Sequence, residues 1–222
     1  MPSNYKIKAE KAPQNAREKL LDAALHTIRA KGYAGTSVDD LCAAAGVTKG
    51  AFFHHFESKE QLAIAAADFF TERAEVMFAA DTYRSLADPV DRLLAYVDLR
   101  RSWMQGELPE FTCLLGTMVQ ETYETHPAIR DACRRGLFGH QAKVEADVQK
   151  AMRKYGIRAA WSAKSLAAHI QCVIQGSFVL AKAQQGPAIA VENLNHLRRY
   201  LEMIFGRPAR KAPRRRAAVI RG

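Results

Sequence analysis

Apolar residues recur along most of the chain at the three- and four-residue spacing of amphipathic helices, and no stretch alternates strongly as a strand would. In the first such segment, Leu21, Leu25 and Ile28 share one face. Gly, Pro, Ser and Thr residues separate one segment from the next. The pattern predicts an all-α chain of about nine helices. Their approximate bounds are 15–31, 38–45, 49–55, 59–80, 89–105, 111–122, 127–155, 163–185 and 188–205.

Residues 37–56 combine several local signals in one short stretch. Ser37 with Asp40 three residues later predicts a capping box at a helix start, and Gly46 can take the left-handed conformation that ends a helix sharply. Thr48 caps a second short helix, in which Phe52 and Phe56 are four residues apart and share the inward face. Two short helices joined by such a turn form a helix-turn-helix unit.

The outward side of the second short helix suits a DNA major groove. Lys49 can donate to guanine or to a phosphate, and Ala51 can contact a thymine methyl group. Thr48, His54 and Lys59 can hold phosphate oxygens, which would set the register on the duplex. Taken singly, each of these residues is also compatible with an ordinary solvated side chain, so the prediction rests on their order.

Residues 13–62 resemble the DNA-binding domain of the TetR family of transcriptional regulators, most closely in the run from Gly35 to Glu60. The resemblance implies a homodimer that reads a palindromic operator in double-stranded DNA. It also implies a helical domain at 63–206 that dimerises and binds an unknown small-molecule effector. Phe53 departs from the family pattern, since a tyrosine usually stands there and its hydroxyl often meets a phosphate. The candidate DNA-binding residues are Ser37, Thr48, Lys49, Gly50, Ala51, Phe53, His54 and Lys59.

Large and polar-tipped side chains on the middle helices are candidates for the effector pocket, although such residues most often fill cores. Cys113 also supports an alternative, because the segment 111–116 resembles one in family members, a few of which sense electrophiles through a cysteine. No Lys or Arg stands next to Cys113 in the sequence to favour its reactive thiolate. The candidate pocket residues are Trp103, Phe111, Cys113, Met118, Tyr123, Trp161, His169, Gln171, Gln175 and Phe178.

Apolar stripes on the last two helices predict a four-helix dimer interface, two helices from each subunit. Packing within one chain is the alternative. The stripe residues are Leu166, Ile170, Val173, Ile174, Ser177, Leu194, Leu197 and Leu201.

The excess positive charge of the chain lies at its two ends. The net charge is +10, of which residues 1–19 carry +3 and residues 207–222 carry +7, so residues 20–206 are neutral. We expect a disordered basic arm at 1–12 and a disordered basic tail at 207–222. Such segments suit a polyanion through counterion release. A solubility tail and a sequence-neutral architectural DNA-binding protein are the alternatives.

The sequence offers no support for an enzyme. It has no GxGxxG, phosphate-loop, GxSxG or HExxH motif, and its histidines and four cysteines lack metal-type spacing. We therefore expect no catalytic centre, cofactor or metal. No apolar run approaches the length of a membrane span and no secretory signal follows Met1, so we expect a cytoplasmic, nucleoid-associated protein without membrane contact.

Overall fold

The computed structural model describes residues 15–207, and every regular element in that range is helical. The predicted all-α fold class is confirmed, with ten α-helices and one short 3-10 turn at Thr82–Ser85 in place of the nine helices expected. The helices are α1 Ala16–Lys31, α2 Val38–Ala45, α3 Lys49–His55, α4 Lys59–Ala80, α5 Pro89–Ser102, α6 Leu108–Phe111, α7 Leu114–Thr122, α8 Pro127–Lys154, α9 Ala163–Gln184 and α10 Ala188–Ile204.

Side-chain caps fix most helix starts, as the local sequence signals predict. The Ser37 hydroxyl accepts a hydrogen bond from the Asp40 backbone N–H at 3.1 Å, and the Asp40 carboxylate accepts one from the Ser37 N–H at 2.9 Å. Ser58 caps α4 by accepting from the Gln61 N–H at 3.1 Å. These bonds satisfy backbone donors that the first helical turn leaves without partners.

The helix expected at 111–122 is two helices, because the chain turns extended at Thr112 and Cys113. Cys113 then acts as the N-cap of α7, and its Sγ accepts a hydrogen bond from the Gly116 N–H at 3.4 Å. The shorter helix α6 starts earlier than expected, with Pro109 in its first turn, where a missing N–H is tolerated. Cysteine is not among the preferred cap residues, so the sequence carried no signal for this break.

Two hydrophobic cores divide the molecule. The first joins α1 to α4 with α7 and the start of α8, and the second joins α5, α9 and α10 with the rest of α8. The domain boundary expected between residues 62 and 63 falls inside α4, which is continuous. The largest fully buried side chains of the first core are Leu20, Leu21, Ile28, Leu41, Phe52, Leu62, Leu114, Met118 and Ile129.

Asp88 connects the start of α5 to the end of α8 and to Arg207. It caps α5 by accepting from the Val90 N–H at 2.8 Å, and it also binds Lys154 at 2.8 Å and the Tyr155 hydroxyl. Arg207 donates to the same carboxylate at 2.9 Å. Arg207 therefore belongs to the folded body and not to the basic tail expected at 207–222. The remaining residues of that tail, and those of the arm at 1–12, lie outside the described residues.

The stripes expected to form a dimer interface face the inside of the chain. Leu166, Ile170, Ile174, Ser177, Leu194, Leu197 and Leu201 are each at most 4% exposed in the single chain, and Val173 is half-buried. They hold α9 and α10 against the rest of the second core. The most apolar stripe of a helix packs into the core of its own subunit. Such a stripe therefore does not indicate which face of the helix contacts a partner subunit.

Among residues 15–207, α9 is the one helix long and apolar enough, by length and composition, to cross a membrane. In the fold it packs against α8 and α10, with 39% of its most apolar window buried.

Replacing Asp88 by Asn should lower the free energy of unfolding by about 1–3 kcal/mol at pH 7, because hydrogen bonds to a charged group are lost while an amide can still cap the helix. Burial alone would raise the pKa of Asp88, but hydrogen bonds from Lys154, Tyr155, the Val90 N–H and Arg207 hold it well below its ordinary value. A carboxyl with a depressed pKa stabilises the fold above its unfolded pKa and loses that effect as pH falls. The difference from wild type should therefore shrink in acid.

Urea denaturation at pH 7 and pH 3 measures both effects. Glu192→Gln on the exposed side of α10 is the control and should change little. If Asp88→Asn lowers the free energy of unfolding by the same amount at both pH values, the stabilising role assigned to the Asp88 charge is contradicted.

Candidate nucleic-acid interface and internal cavity

The turn between α2 and α3 has the geometry that the sequence predicts. Gly46 adopts φ 62° and ψ 40°, the left-handed conformation that favours glycine. The Val47 N–H donates to the Cys42 carbonyl at 3.0 Å, and Thr48 caps α3 by accepting from the Ala51 N–H at 3.1 Å. The turn is therefore fixed by its own backbone, and it sets the direction of α3.

The two sides of α3 differ completely in burial. Phe52 is 0% exposed and Phe56 is 3% exposed, and both lie in the first core. On the other side Thr48, Lys49, Gly50, Phe53 and His54 are exposed, and Phe53 is exposed by 56%. We call these five residues the reading surface. An exposed Phe ring on a short, rigidly held helix is typical of a contact surface.

Lys49 is held by an acidic neighbour on α2. Its ammonium lies 2.8 Å from the Asp39 carboxylate, and this hydrogen bond raises the pKa of Lys49. Both side chains are more than 60% exposed (62% and 69%), so the pair is weak and screened by salt. A phosphate can therefore displace Asp39 from Lys49.

Lys59, expected to hold a phosphate, makes contacts inside the protein. Its ammonium donates to the Tyr33 carbonyl at 3.0 Å and to the Thr36 carbonyl at 2.9 Å, and it lies 4.2 Å from the centre of the Tyr33 ring. An ammonium has three donors, so one is left for another acceptor. Lys59 thus fixes the loop between α1 and α2. The Ser37 hydroxyl is also engaged, since it donates to Asp40 at 2.7 Å.

A cavity of about 650 Å³ lies where the two cores meet. Residues of α1, α4, α5, α8 and α9 line it, and α1 packs against α3, which carries the reading surface. The volume is in the range of small-molecule sites, about 300–1,000 Å³. Six of the ten residues expected in a pocket line it: Trp103, Phe111, Cys113, Gln171, Gln175 and Phe178.

The other four expected pocket residues lie elsewhere. Met118 is 0% exposed on the side of α7 that faces the first core, and Tyr123 is 58% exposed at the end of the same helix. Trp161 packs against the second core outside the cavity, and His169 is exposed, with its ring against Tyr200 at 5.3 Å. Residue type alone did not separate the cavity wall from core and surface.

The cavity wall also has a charged part that no sequence pattern indicates. Arg29 on α1, Arg73 on α4 and Arg100 on α5 all line it, as does His140 on α8. Burial, with further contributions from Arg100 and other cations, lowers the pKa of His140 to about 3, so its ring is neutral at pH 7. Its Nε2 lies 2.9 Å from the Tyr96 hydroxyl. Arginine and histidine on amphipathic helices usually indicate a solvated face, and this is why no sequence signal singled them out.

Cys113 lies on the cavity wall with cations near it in space, although none adjoins it in sequence. Arg29 and Lys182 are close enough to interact electrostatically with its thiol. The neighbouring Cys133 is fully buried, and burial raises its pKa to about 12. Of these two cysteines, only Cys113 can be reached from the cavity.

Comparison with known proteins gives a consistent result. Residues 20–66 match the family described as bacterial regulatory proteins, tetR family, and residues 89–197 match the tetracyclin repressor-like C-terminal domain. The transcriptional regulator LmrA of Bacillus subtilis is 28% identical, with 75% of this chain and 86% of that protein covered.

Solved structures resemble the whole fold. A TetR transcriptional regulator from Chloroflexus aurantiacus is 30% identical, covers 84% of this chain and 93% of its own, and has a TM-score of 0.72. The regulator CifR, a cysteine mutant complexed with 26bp double-strand operator DNA, is 16% identical over 85% of this chain and 98% of its own, with a TM-score of 0.70. At that identity the likeness to CifR concerns the fold alone.

Proposed function

The chain belongs to the TetR family of bacterial transcriptional regulators, and from this premise we propose that it is a repressor that binds a palindromic operator as a homodimer and is released by a small molecule in the internal cavity. The observation that carries the proposal is the two-sided α3, whose buried Phe52 and Phe56 leave the reading surface exposed. A helix of this kind can enter a major groove without disturbing the core.

Within the groove, Lys49 contacts guanine or a phosphate and the half-buried Ala51 contacts a thymine methyl group. Thr48 and His54 hold phosphates, and the remaining donor of Lys59 is available to one. Ser37 and Gly50 allow close approach of the backbone at the starts of α2 and α3. Phe53 has no hydroxyl and offers its ring to the sugar-phosphate edge.

Exchanging both Lys49 and His54 for Ala should weaken binding to the selected operator by at least about tenfold, because base and phosphate contacts are lost from both subunits. The operator is first selected with the wild-type protein from random double-stranded DNA, and affinity is then measured by fluorescence anisotropy at fixed salt. Lys150→Ala on the exposed side of α8 removes the same charge elsewhere and should bind as wild type does. A double variant that keeps wild-type affinity and selects the same operator would refute the proposal.

We place the dimer interface on the outward sides of α9 and α10, not on the stripes that the core covers. Val179, Leu180, Tyr200 and Met203 are exposed there by 48%, 45%, 37% and 73%. Apolar side chains grouped on two adjacent helices favour a four-helix interface with a second copy. Each subunit would then present one α3 to a half-site.

Met203→Asp should shift the protein toward monomer, since a carboxylate would be buried at the interface without a partner. Sedimentation velocity measures the subunit equilibrium. Val76→Asp, at an α4 position exposed by 69%, introduces the same charge away from this face and should leave the dimer intact. A Met203→Asp protein that remains fully dimeric would exclude this face.

Electrophile sensing through Cys113 is a second candidate, favoured by its position on the cavity wall beside Arg29. In a Cys172→Ser background, which removes the exposed thiol of α9, N-ethylmaleimide should then modify Cys113 and release the operator. Mass spectrometry locates the adduct and anisotropy follows release. Release that persists after Cys113→Ser would eliminate this candidate.

A further inference from the structure

The cavity wall contains three arginines and three acidic residues, but not every arginine has an acidic partner within ion-pair distance in the described part of the protein. Of its three arginines, Arg73 is paired with Asp22. Among residues 15–207, neither Arg29 nor Arg100 has a carboxylate within 4.0 Å. Glu75, a further acid of the wall, is paired with Lys143 at 2.6 Å. Two guanidinium groups thus face the cavity without an ion-pair partner.

Arg29 and Arg100 differ in what surrounds them. Arg29 donates to three backbone carbonyls, those of Leu25, Glu110 and Thr112, at 2.6, 3.3 and 3.3 Å. Burial lowers the pKa of Arg29 to about 10. Glu110 also lines the cavity and interacts electrostatically with Arg29 without forming an ion pair, and its exposed carboxylate accepts from the Glu107 N–H at 2.9 Å. Arg29 is therefore a structural link with donors to spare.

The Arg100 side chain makes no hydrogen bond or ion pair with any residue in the described range. Its guanidinium carbon lies 5.6, 5.7 and 5.8 Å from the ring centres of Phe78, Trp103 and Phe178. The side chain is half-buried, and cation–π contact does not occupy the five N–H donors of its guanidinium. His140, which also lines the cavity, has a neutral ring at pH 7 and cannot act as a counter-ion for Arg100.

We propose that the cavity binds an organic carboxylate with an apolar body, and that Arg100 is the residue that anchors the carboxylate group. The planar guanidinium fits a carboxylate with two parallel hydrogen bonds. The rings of Phe78, Phe111 and Phe178 provide the surface for the apolar body, and Gln171 and Gln175 provide neutral polar groups beside it. The proposal names the effector class of the repressor and rests on that function, but binding is tested without DNA.

The test uses matched pairs of ligands, a carboxylate and an alcohol, that differ only in the charged group. Octanoate is compared with 1-octanol, and 4-phenylbutyrate with 4-phenyl-1-butanol, by isothermal titration calorimetry on the full chain. Trp103 gives an independent signal in a Trp161→Phe background, because the chain has two tryptophans. Each carboxylate should bind at least about tenfold more tightly than its alcohol, as expected for a charge-assisted pair.

Arg100→Gln should abolish this preference, so that each carboxylate binds no more tightly than its alcohol, and Arg100→Lys should restore part of it through charge without the planar geometry. Arg134→Gln, at a side chain exposed by 63% on α8, is the matched control and should keep the preference. Circular dichroism and a thermal melt confirm that each variant is folded.

Three outcomes would overturn the proposal: equal affinity for carboxylate and alcohol, a preference that survives Arg100→Gln, or no carboxylate of the panel binding with Kd below about 1 mM. Operator binding by the same ligand-free proteins separates the two ideas. Loss of the carboxylate preference with normal operator binding counts against the ligand class alone, whereas a wild-type protein that selects no operator counts against the repressor.

Discussion

The burial of α1 on several sides at once is the constraint on which the rest of the structure depends. Leu20, Leu21, Ala24 and Ile28 are each at most 1% exposed, and the helix packs against α2, α3 and α4 as well as α6 and α7. Close-packed interiors transmit displacement instead of absorbing it. A movement of the cavity wall therefore bears on the helix that supports α3.

Polar contacts reinforce this coupling at the end of α1. Arg29 ties α1 to the carbonyls of Glu110 and Thr112, and the Ala34 N–H donates to Glu121 of α7 at 2.9 Å. Lys59 fixes the same α1–α2 loop from the side of α4. The loop is thus held by α4 and α7, while Arg29 links α1 to the chain between α6 and α7, and the orientation of α2 and α3 follows from the positions of these helices.

Features that depend on residues close together in the sequence could be predicted from it, whereas features that depend on distant residues could not. Caps and turns are local, so Ser37, Gly46 and Thr48 could be assigned from their neighbours, and the helix-turn-helix unit with them. The break at Cys113 depends on a weak cap, which cap preferences do not predict. The inward and outward sides of α9 depend on the whole core, and the environment of Arg100 depends on Phe78 and Phe178, which lie on other helices. Neither property is encoded in a local pattern.

The free energy that a bound carboxylate can supply limits how it could release DNA. Moving a two-state equilibrium from 1:99 to 99:1 requires about 5.5 kcal/mol of differential binding. A charge-assisted contact such as the one proposed for Arg100 supplies about 1.5–3 kcal/mol. The remainder must come from the apolar body against Phe78 and Phe178, or from the bonds that Arg29 makes to the chain between α6 and α7. Because those bonds join the cavity wall to α1, a ligand that changes them alters the free energy of the DNA-binding arrangement directly.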